Sequence, residues 1–445
     1  MVVRLSVRGD AAISQIGRPR GICNRAGSNA RRARRDYNSD VSSQTRYDVI
    51  VIGAGIVGSS VTMALAERAQ RTLAIDIDLS GRLSSSEKNA GGVRATWWEA
   101  VNIILCRASV KYYESIASEV GFRQKGYLWL YDTDTWPKAL AHVDLQRGLG
   151  HPIETLTAPE VHGRVPEIDR LDGIEGATFS PRDGLINPNL LKNHYRDRAR
   201  SMGAQFRDGI YIYAIDNSGD GVRLDTWHAD EPMTDAALMR MMTQDGPGEA
   251  ESGHLEKLEA GALVIAGGAW SRNVLRLLGL KDYSEPIRRQ ICLVDNRETN
   301  LGAYGMIVDT TGLYFHNEGP HILAGYSPPE APGYHFNYDG EEFFLKEIWP
   351  RMYARMSRFE RLRHVTGWAG LYEVSPDRSA IVGLASPSVF EAHSFSGRGV
   401  MQSYGAGQAL AGLIAEGKYP AGLDASALAR TRFEANRLVF EELHI

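Results

Sequence analysis

The sequence predicts an α/β protein built on a parallel sheet. Three observations carry that expectation. An apolar strand, a glycine turn and a helix follow one another over residues 48–69. A second strand follows at once over 71–76, and a third wholly apolar run recurs over 262–266. A strand–helix–strand opening favours parallel pairing, because the helix carries the chain back to the end where the first strand began.

The elements can be placed in order along the chain. Residues 48–52 form the first strand, 53–58 a turn, 59–69 a helix and 71–76 the second strand. Residues 101–120 read as a helix and 127–131 as a strand. Asn187-Pro188-Asn189-Leu190 starts another helix that runs to about Met202. The stretch 215–260 is polar and rich in Asp, Glu and Gly, with four methionines (Met233, Met239, Met241 and Met242), and reads as an insertion. Short β-like runs dominate 287–325. Residues 341–358 read as helical, with Pro350 expected to break or kink them. Residues 403–416 form a last core helix.

Composition limits the function. The 445 residues suggest two to three domains, and 43% hydrophobic with 23% charged residues is an ordinary globular balance. A net charge of −4 argues against a dedicated nucleic-acid binder. The apolar stretch 49–58 falls well short of the roughly 18 residues of a membrane span, and no other stretch reaches it. The three cysteines, Cys23, Cys106 and Cys292, form no C-x-x-C pair, so a reducing, cytoplasmic setting is expected. Residues 1–45 stand apart, with nine arginines, no lysine and three aspartates. They read as a disordered basic leader or, alternatively, as a transit peptide for the mitochondrial matrix.

Gly53-Ala54-Gly55-Ile56-Val57-Gly58 is a complete G-x-G-x-x-G with a strand before it and a helix after it. Gly53 permits the tight turn, Gly55 lets a pyrophosphate approach the backbone, and Gly58 lets the helix lie close on the strand. Asp76 ends the next strand, 18 residues past Gly58, where a carboxylate can accept from a ribose hydroxyl. The motif alone does not separate NAD from FAD. Two further stretches favour FAD: the hydroxyl- and glycine-rich 84–94, and 395–400 directly before the last helix, whose N–H groups can face the electron-rich edge of a flavin. No second glycine fingerprint follows a strand, which weakens an NAD(P)-dependent reading.

These pieces together resemble the D-amino-acid oxidase superfamily of FAD-dependent oxidoreductases, which includes sarcosine oxidase and glycine oxidase. The matching segments are VIVIGAGIVGSS at 49–60, SSSEKNAGGVR at 84–94, DGLINPNLL at 183–191 and LVIAGGAWS at 263–271. WAGLYEVSPDRSAIVG at 368–383 and FSGRGVMQSYGAGQAL at 395–410 complete the set, in family order. Within the superfamily the chain is similar to the branch of the mitochondrial FAD-dependent oxidoreductase linked to complex I assembly.

The resemblance implies a Rossmann-like FAD-binding domain over 46–125, 180–285 and 365–430, interleaved with an antiparallel-sheet substrate domain over 126–179 and 286–364, and a C-terminal tail over 431–445. It implies cofactor contacts from Gly53, Gly55, Ile56, Val57, Gly58 and Asp76; from Ser85, Ser86, Asn89, Ala90, Gly91 and Gly92; from Gly268, Gly370 and Asp377; and from Gly397, Arg398, Gly399, Val400 and Met401. Arg94 stands where sarcosine-oxidase-like enzymes hold a substrate carboxylate, and a guanidinium fork suits that task. Tyr314 and Tyr326 stand at pocket positions. His316, on the same strand face as Tyr314, reads as structural more readily than as a participant. Gly370 replaces a tethering cysteine, and 84–94 holds no histidine, so FAD is expected to be non-covalent. Leu323 replaces the lysine that assists oxygen reduction in sarcosine oxidases.

The resulting expectation is an FAD-dependent dehydrogenase of an amino acid or N-alkyl amino acid, with a quinone or an electron-transfer protein as acceptor. The alternative is a flavin-bearing assembly factor for a respiratory complex.

Overall fold

The computed structural model describes residues 46–243, 246–248, 251–295 and 299–443. The basic leader, including Cys23, lies outside them. Residues 45–445 form one unit built around two eight-stranded sheets.

The first sheet grows from the expected opening. Strand β1 (Tyr47–Ile52) is buried at every position but Asp48, as a parallel strand covered on both faces must be. Helix α1 (Ile56–Ala66) starts three residues earlier than the sequence suggested, and ten of its eleven residues are buried. Its apolar character runs all round, which suits a helix with neighbours on every side. Strand β2 (Thr72–Ile75) pairs parallel to β1, with Ile52 opposite Ile75. Helix α2 (Ala100–Ser115) ends at Ile116, where φ turns to −122°. Helix α3 (Pro188–Ser201) opens on Asn187, whose side chain accepts from the N–H groups of Asn189 and Leu190. Strand β3 (Gly253–Ile265) lies on the other side of β1, with Ile52 opposite Ile265. Strand β4 (Val389–His393) pairs parallel to β3. Helix α4 (Gly399–Glu416) starts four residues ahead of the expected 403 and fills the core against α1 and α2.

The stretch read as an insertion is regular structure. Ile210–Gly219 and Gly221–Ala229 form an antiparallel extension on the first half of β3, and the helix Asp235–Thr243 follows them. Gly221–Ala229 alternates exposed and buried residues and Ile210–Gly219 buries only Ile210 fully, so open, polar faces dominate the composition and hid the strands.

The second sheet runs in the order His364–Val374, Glu285–Asp295, His321–Tyr326, Tyr314–Glu318, Met306–Val308, Tyr127–Tyr131, Gly176–Ser180, Glu154–Leu156. All its pairs are antiparallel except Met306–Val308 with Tyr127–Tyr131. The strand His364–Val374, which the sequence reading grouped with the FAD-binding part, belongs to this sheet by its register with Glu285–Asp295. Pro350 does not stop its helix. A π-helical turn over Phe344–Ile348 precedes it, and Pro350 sits in the first turn of Trp349–Arg355, where its missing N–H is least needed.

Candidate functional site

A cavity runs from the glycine turn between β1 and α1 to the second sheet. At its nucleotide end Gly53 has φ +93°, and a Cβ there would lie 2.4 Å from the Ala266 carbonyl oxygen. A Cβ at Gly58 would lie 1.8 Å from the Gly53 oxygen, so α1 can cross the strand end only with glycine there. Gly53, Gly55, Ile56 and Val57 line the cavity, as does Asp76. The Asp76 carboxylate accepts from Ala54 N at 2.7 Å and Asp78 N at 3.1 Å. Burial lifts its carboxyl above the usual range against the pull of those two N–H groups. Ser86 Oγ accepts from Ile56 N at 2.9 Å and so caps α1 from a distant loop.

Helix α3 contributes two cations that the sequence reading missed. Arg196 donates to the carbonyls of Ala54 and Leu79 and braces the glycine turn. Lys192 lies one turn earlier, lines the cavity and pairs with Glu87. Burial, and then the charge of Arg196, push its ammonium down to about 8. Their spacing of four residues was the available signal, since it puts both on one helix face. Leu238 and Met242, from the helix Asp235–Thr243, also line this end, and Arg82 ties that helix down through Asp235 at 2.8 Å.

At the other end the wall comes from the second sheet and from the start of α4. Gly370 and Tyr372 lie on one strand, Arg289 and Ile291 on the next, and Tyr314 on a third. Arg289 was missed as well. It shares a strand face with Ile291, a period-two relation present in the sequence. Its Nε has no hydrogen-bond partner among the described residues. Gly397, Gly399 and Val400 bring the positive end of α4 to the cavity. On the same wall His393, 1% exposed, lies 3.0 Å from Glu391 and 3.2 Å from Glu373. Burial lowers its affinity for a proton, but the two carboxylates win and lift it to about 10.

Of the residues the resemblance assigns to the cofactor, Ser85, Ser86, Asn89, Ala90, Gly268 and Gly370 line the cavity. Several other expected contacts are not among its lining residues. Gly58 faces Gly53. Gly91, at φ +75°, lies against the Ile186 carbonyl, and Gly92 lies under the Tyr127 hydroxyl. Asp377 is buried in a pair with Arg432 and orders the C-terminal segment. Arg398 turns inward over the Trp97 ring at 4.8 Å, and none of its three guanidinium nitrogens has a partner among the described residues. Met401 is buried against the core between α1 and α2.

The three residues expected to do chemistry separate. Tyr314 lines the cavity and is buried. Tyr326 ends its strand half-buried, with its ring 3.8 Å from the Arg351 guanidinium, and does not line the cavity. Arg94 lies outside the lining too. It is 1% exposed, stacked 3.4 Å from the Trp97 ring, and donates to the carbonyls of Thr96 and Leu443. His316 is structural: its two ring nitrogens face the carbonyls of Asn317 and Ala90 at 3.0 and 3.1 Å.

A cradle that only glycine permits, a carboxylate at the next strand end and a helix N-terminus farther along one cavity define a dinucleotide-binding oxidoreductase architecture. The cavity passes beyond the nucleotide end to an aromatic wall, as a flavin dinucleotide requires. The chain belongs to the family described as FAD dependent oxidoreductase, whose model matches residues 48–413. It is 26% identical over 430 residues to FAD-dependent oxidoreductase domain-containing protein 1 of Xenopus laevis, covering 89% of this chain and 84% of that one. Among solved structures, L-proline dehydrogenase from P. horikoshii superposes with a TM-score of 0.76 at 22% identity, over 89% of this chain and all of that one. Glycine oxidase from Geobacillus kaustophilus gives 0.70 at 21% identity, over 87% and 99%. Among the described residues, no helix is long and apolar enough to cross a membrane.

Proposed function

We propose that this protein oxidises the C–N bond of an amino acid or N-alkyl amino acid, as a dehydrogenase that holds FAD non-covalently and hands electrons to a quinone or an electron-transfer protein. One observation carries the reading: a single cavity joins the glycine cradle to Arg289, Tyr314 and Tyr372 on the second sheet. The likeness to an L-proline dehydrogenase and a glycine oxidase supports an amino-acid substrate. When bound, FAD supplies a two-electron acceptor for the substrate's C–H bond.

The chain's own residues bind and orient. Gly53 and Gly55 let the pyrophosphate reach the backbone, and Lys192 and Arg196 balance its charge. The start of α4 offers N–H groups to the electron-rich edge of the ring system. Arg94 and Arg289 are the guanidinium forks for a substrate carboxylate, Arg289 on the cavity wall and Arg94 behind Leu443. Tyr314 and Ile291 form an apolar wall that excludes water and fixes the substrate's approach. Gly370 offers no sulfur for a tether.

Lys88 favours a second reading, as an oxidase. It lines the cavity, and its side chain would meet a Cβ on Gly370 at 3.1 Å. Its ammonium can supply the positive charge that Leu323 does not.

The decisive experiment is anaerobic titration of the yellow protein with a panel of amines and amino acids, watching the flavin bleach. Bleaching by one amino acid at a useful rate is expected. No response across the panel favours the assembly-factor alternative. The cytoplasm is the proposed compartment; import of a fluorescent fusion of residues 1–45 would move it to the mitochondrial matrix.

A further inference from the structure

The last described residues return to the core. Asp377 holds Arg432 and accepts from Val439 N at 2.9 Å, while its carbonyl accepts from Glu441 N at 3.0 Å. Glu441 is fully buried. Its carboxylate accepts from Trp98 N at 3.1 Å, Glu99 N at 3.2 Å and Asn102 Nδ2 at 3.0 Å, and so caps α2. Two residues later Leu443 is 4% exposed. Its carbonyl accepts from the Arg94 guanidinium at 3.0 Å. Its side chain enters an apolar cluster with Trp98, Tyr127, Trp129, Ile291, Tyr314 and Leu323. Ile291 and Tyr314 are also cavity wall.

Leu443 thus presents a carbonyl oxygen to a guanidinium and an isobutyl group to an apolar chamber, beside the cavity. An α-amino acid with a branched apolar side chain would present a carboxylate and the same kind of group. Three buried polar atoms of the chamber have no hydrogen-bond partner among the described residues: Arg94 Nε, Tyr127 Oη and Trp129 Nε1. A carboxylate has the oxygens to engage donors that a single carbonyl leaves unused. Burial also pulls the Arg94 guanidinium down to about 10, a cost that an arriving anion would relieve.

We propose that residues 437–443 form a strap over the substrate site, with Leu443 standing in for an amino acid that carries a leucine-sized apolar side chain. The proposal rests on the reading of Arg94 as the carboxylate anchor. A carboxylate accepts two parallel hydrogen bonds from the guanidinium and neutralises its charge, where the Leu443 carbonyl accepts one and carries no charge, so the substrate displaces the strap tip. Glu441 stays in place as the hinge. The strap explains why Arg94 lies outside the cavity lining, and it selects for a substrate large enough to replace the leucine side chain.

The test uses the full-length, FAD-loaded protein with 4-methylpentanoate, a carboxylate with a branched tail and no amine to oxidise, and with acetate as the small control. Flavin absorbance reports binding, and amide hydrogen exchange reports the strap. Expected is a spectral change with 4-methylpentanoate accompanied by faster exchange over 437–443. Leu443→Ala should bind it about tenfold more tightly, because the competing side chain is gone, with a smaller gain for acetate. A spectral change with exchange over 437–443 unchanged or slowed overturns the strap while leaving a carboxylate site, then assigned to Arg289. Equal affinity in the two proteins overturns it as well. No response to either acid, in wild type and Leu443→Ala alike, removes the Arg94 reading and the strap together.

Discussion

Asp377 and Arg432 form a doubly hydrogen-bonded pair, Nε to Oδ2 at 2.7 Å and a terminal nitrogen to Oδ1 at 2.9 Å, with exposures of 0% and 3%. The pair joins the turn after the strand His364–Val374 to the short helix Thr431–Glu434. Asp377→Asn should cost about 3–5 kcal/mol, the usual loss when one partner of a buried pair is removed. The pH dependence has a definite sign. Burial alone would raise the Asp377 carboxyl, but Arg432 and the N–H groups of Val439 and Ser379 hold it below the usual range. Its stabilisation is therefore present above about pH 3.9, the unfolded value, and is lost as the pH falls from there. Thermal unfolding of wild type and Asp377→Asn between pH 2.5 and 7 should show the difference shrinking toward acid; a constant difference would assign the pair no titrating role.

Lys192 predicts how FAD retention depends on pH. Burial and the charge of Arg196 hold its ammonium at about 8, and a bound pyrophosphate would raise that value. Affinity for FAD should be flat below about pH 7 and fall as the pH rises through 8. Lys192→Met should bind more weakly at pH 7 and lose this dependence. Fluorescence titration of the apoprotein measures both; an unchanged slope in the variant would place the titrating group elsewhere.

Non-covalent FAD is expected to leave with acid or heat, because Gly370 carries no nucleophile. Colour that stays with the precipitated protein would reveal a tether. Gly53→Ala should purify colourless, since an added Cβ would press on the Ala266 carbonyl and φ is +93°.

Arg94→Lys should weaken carboxylate substrates by about ten- to a hundredfold, the equivalent of one charge-assisted hydrogen bond of roughly 1.5–3 kcal/mol. The flavin spectrum without substrate should stay as it is. Arg289→Lys is the companion variant: an equal loss there and none at Arg94 would move the anchor to the cavity wall.

The reduced protein should react slowly with oxygen, because Leu323 is buried and apolar where a lysine would help. Mixing substrate-reduced protein with air-saturated buffer tests this in stopped flow. Fast reoxidation that Lys88→Met slows by an order of magnitude or more would make the protein an oxidase that works through Lys88.

The nucleotide end of the cavity was legible in the sequence because its constraints are local. Gly53, Gly55 and Asp76 sit in one turn and at the next strand end, so motif spacing finds them; Ser86 reaches Ile56 N from 30 residues away and came only with the resemblance. The second sheet was less legible. Arg289, Ile291, Tyr314 and Tyr372 meet only through the register of four strands, with His321–Tyr326 between the strands of Ile291 and Tyr314, and no short pattern encodes that register. Arg94 illustrates the limit from the other side. Its local motif marks a fork near the cofactor, but Leu443, 349 residues away, decides what the fork touches. The strands of the polar insertion were hidden for a compositional reason, since an open sheet face carries the same residues as a loop.

Strand β3 is thirteen residues long, and its two halves do different jobs. Residues 253–260 pair with the added hairpin strand, while the stretch from Ala262 to Ile265 lies beside β1 and leads into Ala266 and Gly267 on the cavity wall. The added region is therefore not a cassette that can be cut out at its ends. Shortening the chain within 253–260 removes the partner of the hairpin, whereas a one-residue slip within 262–265 would turn those side chains to the opposite face of the sheet.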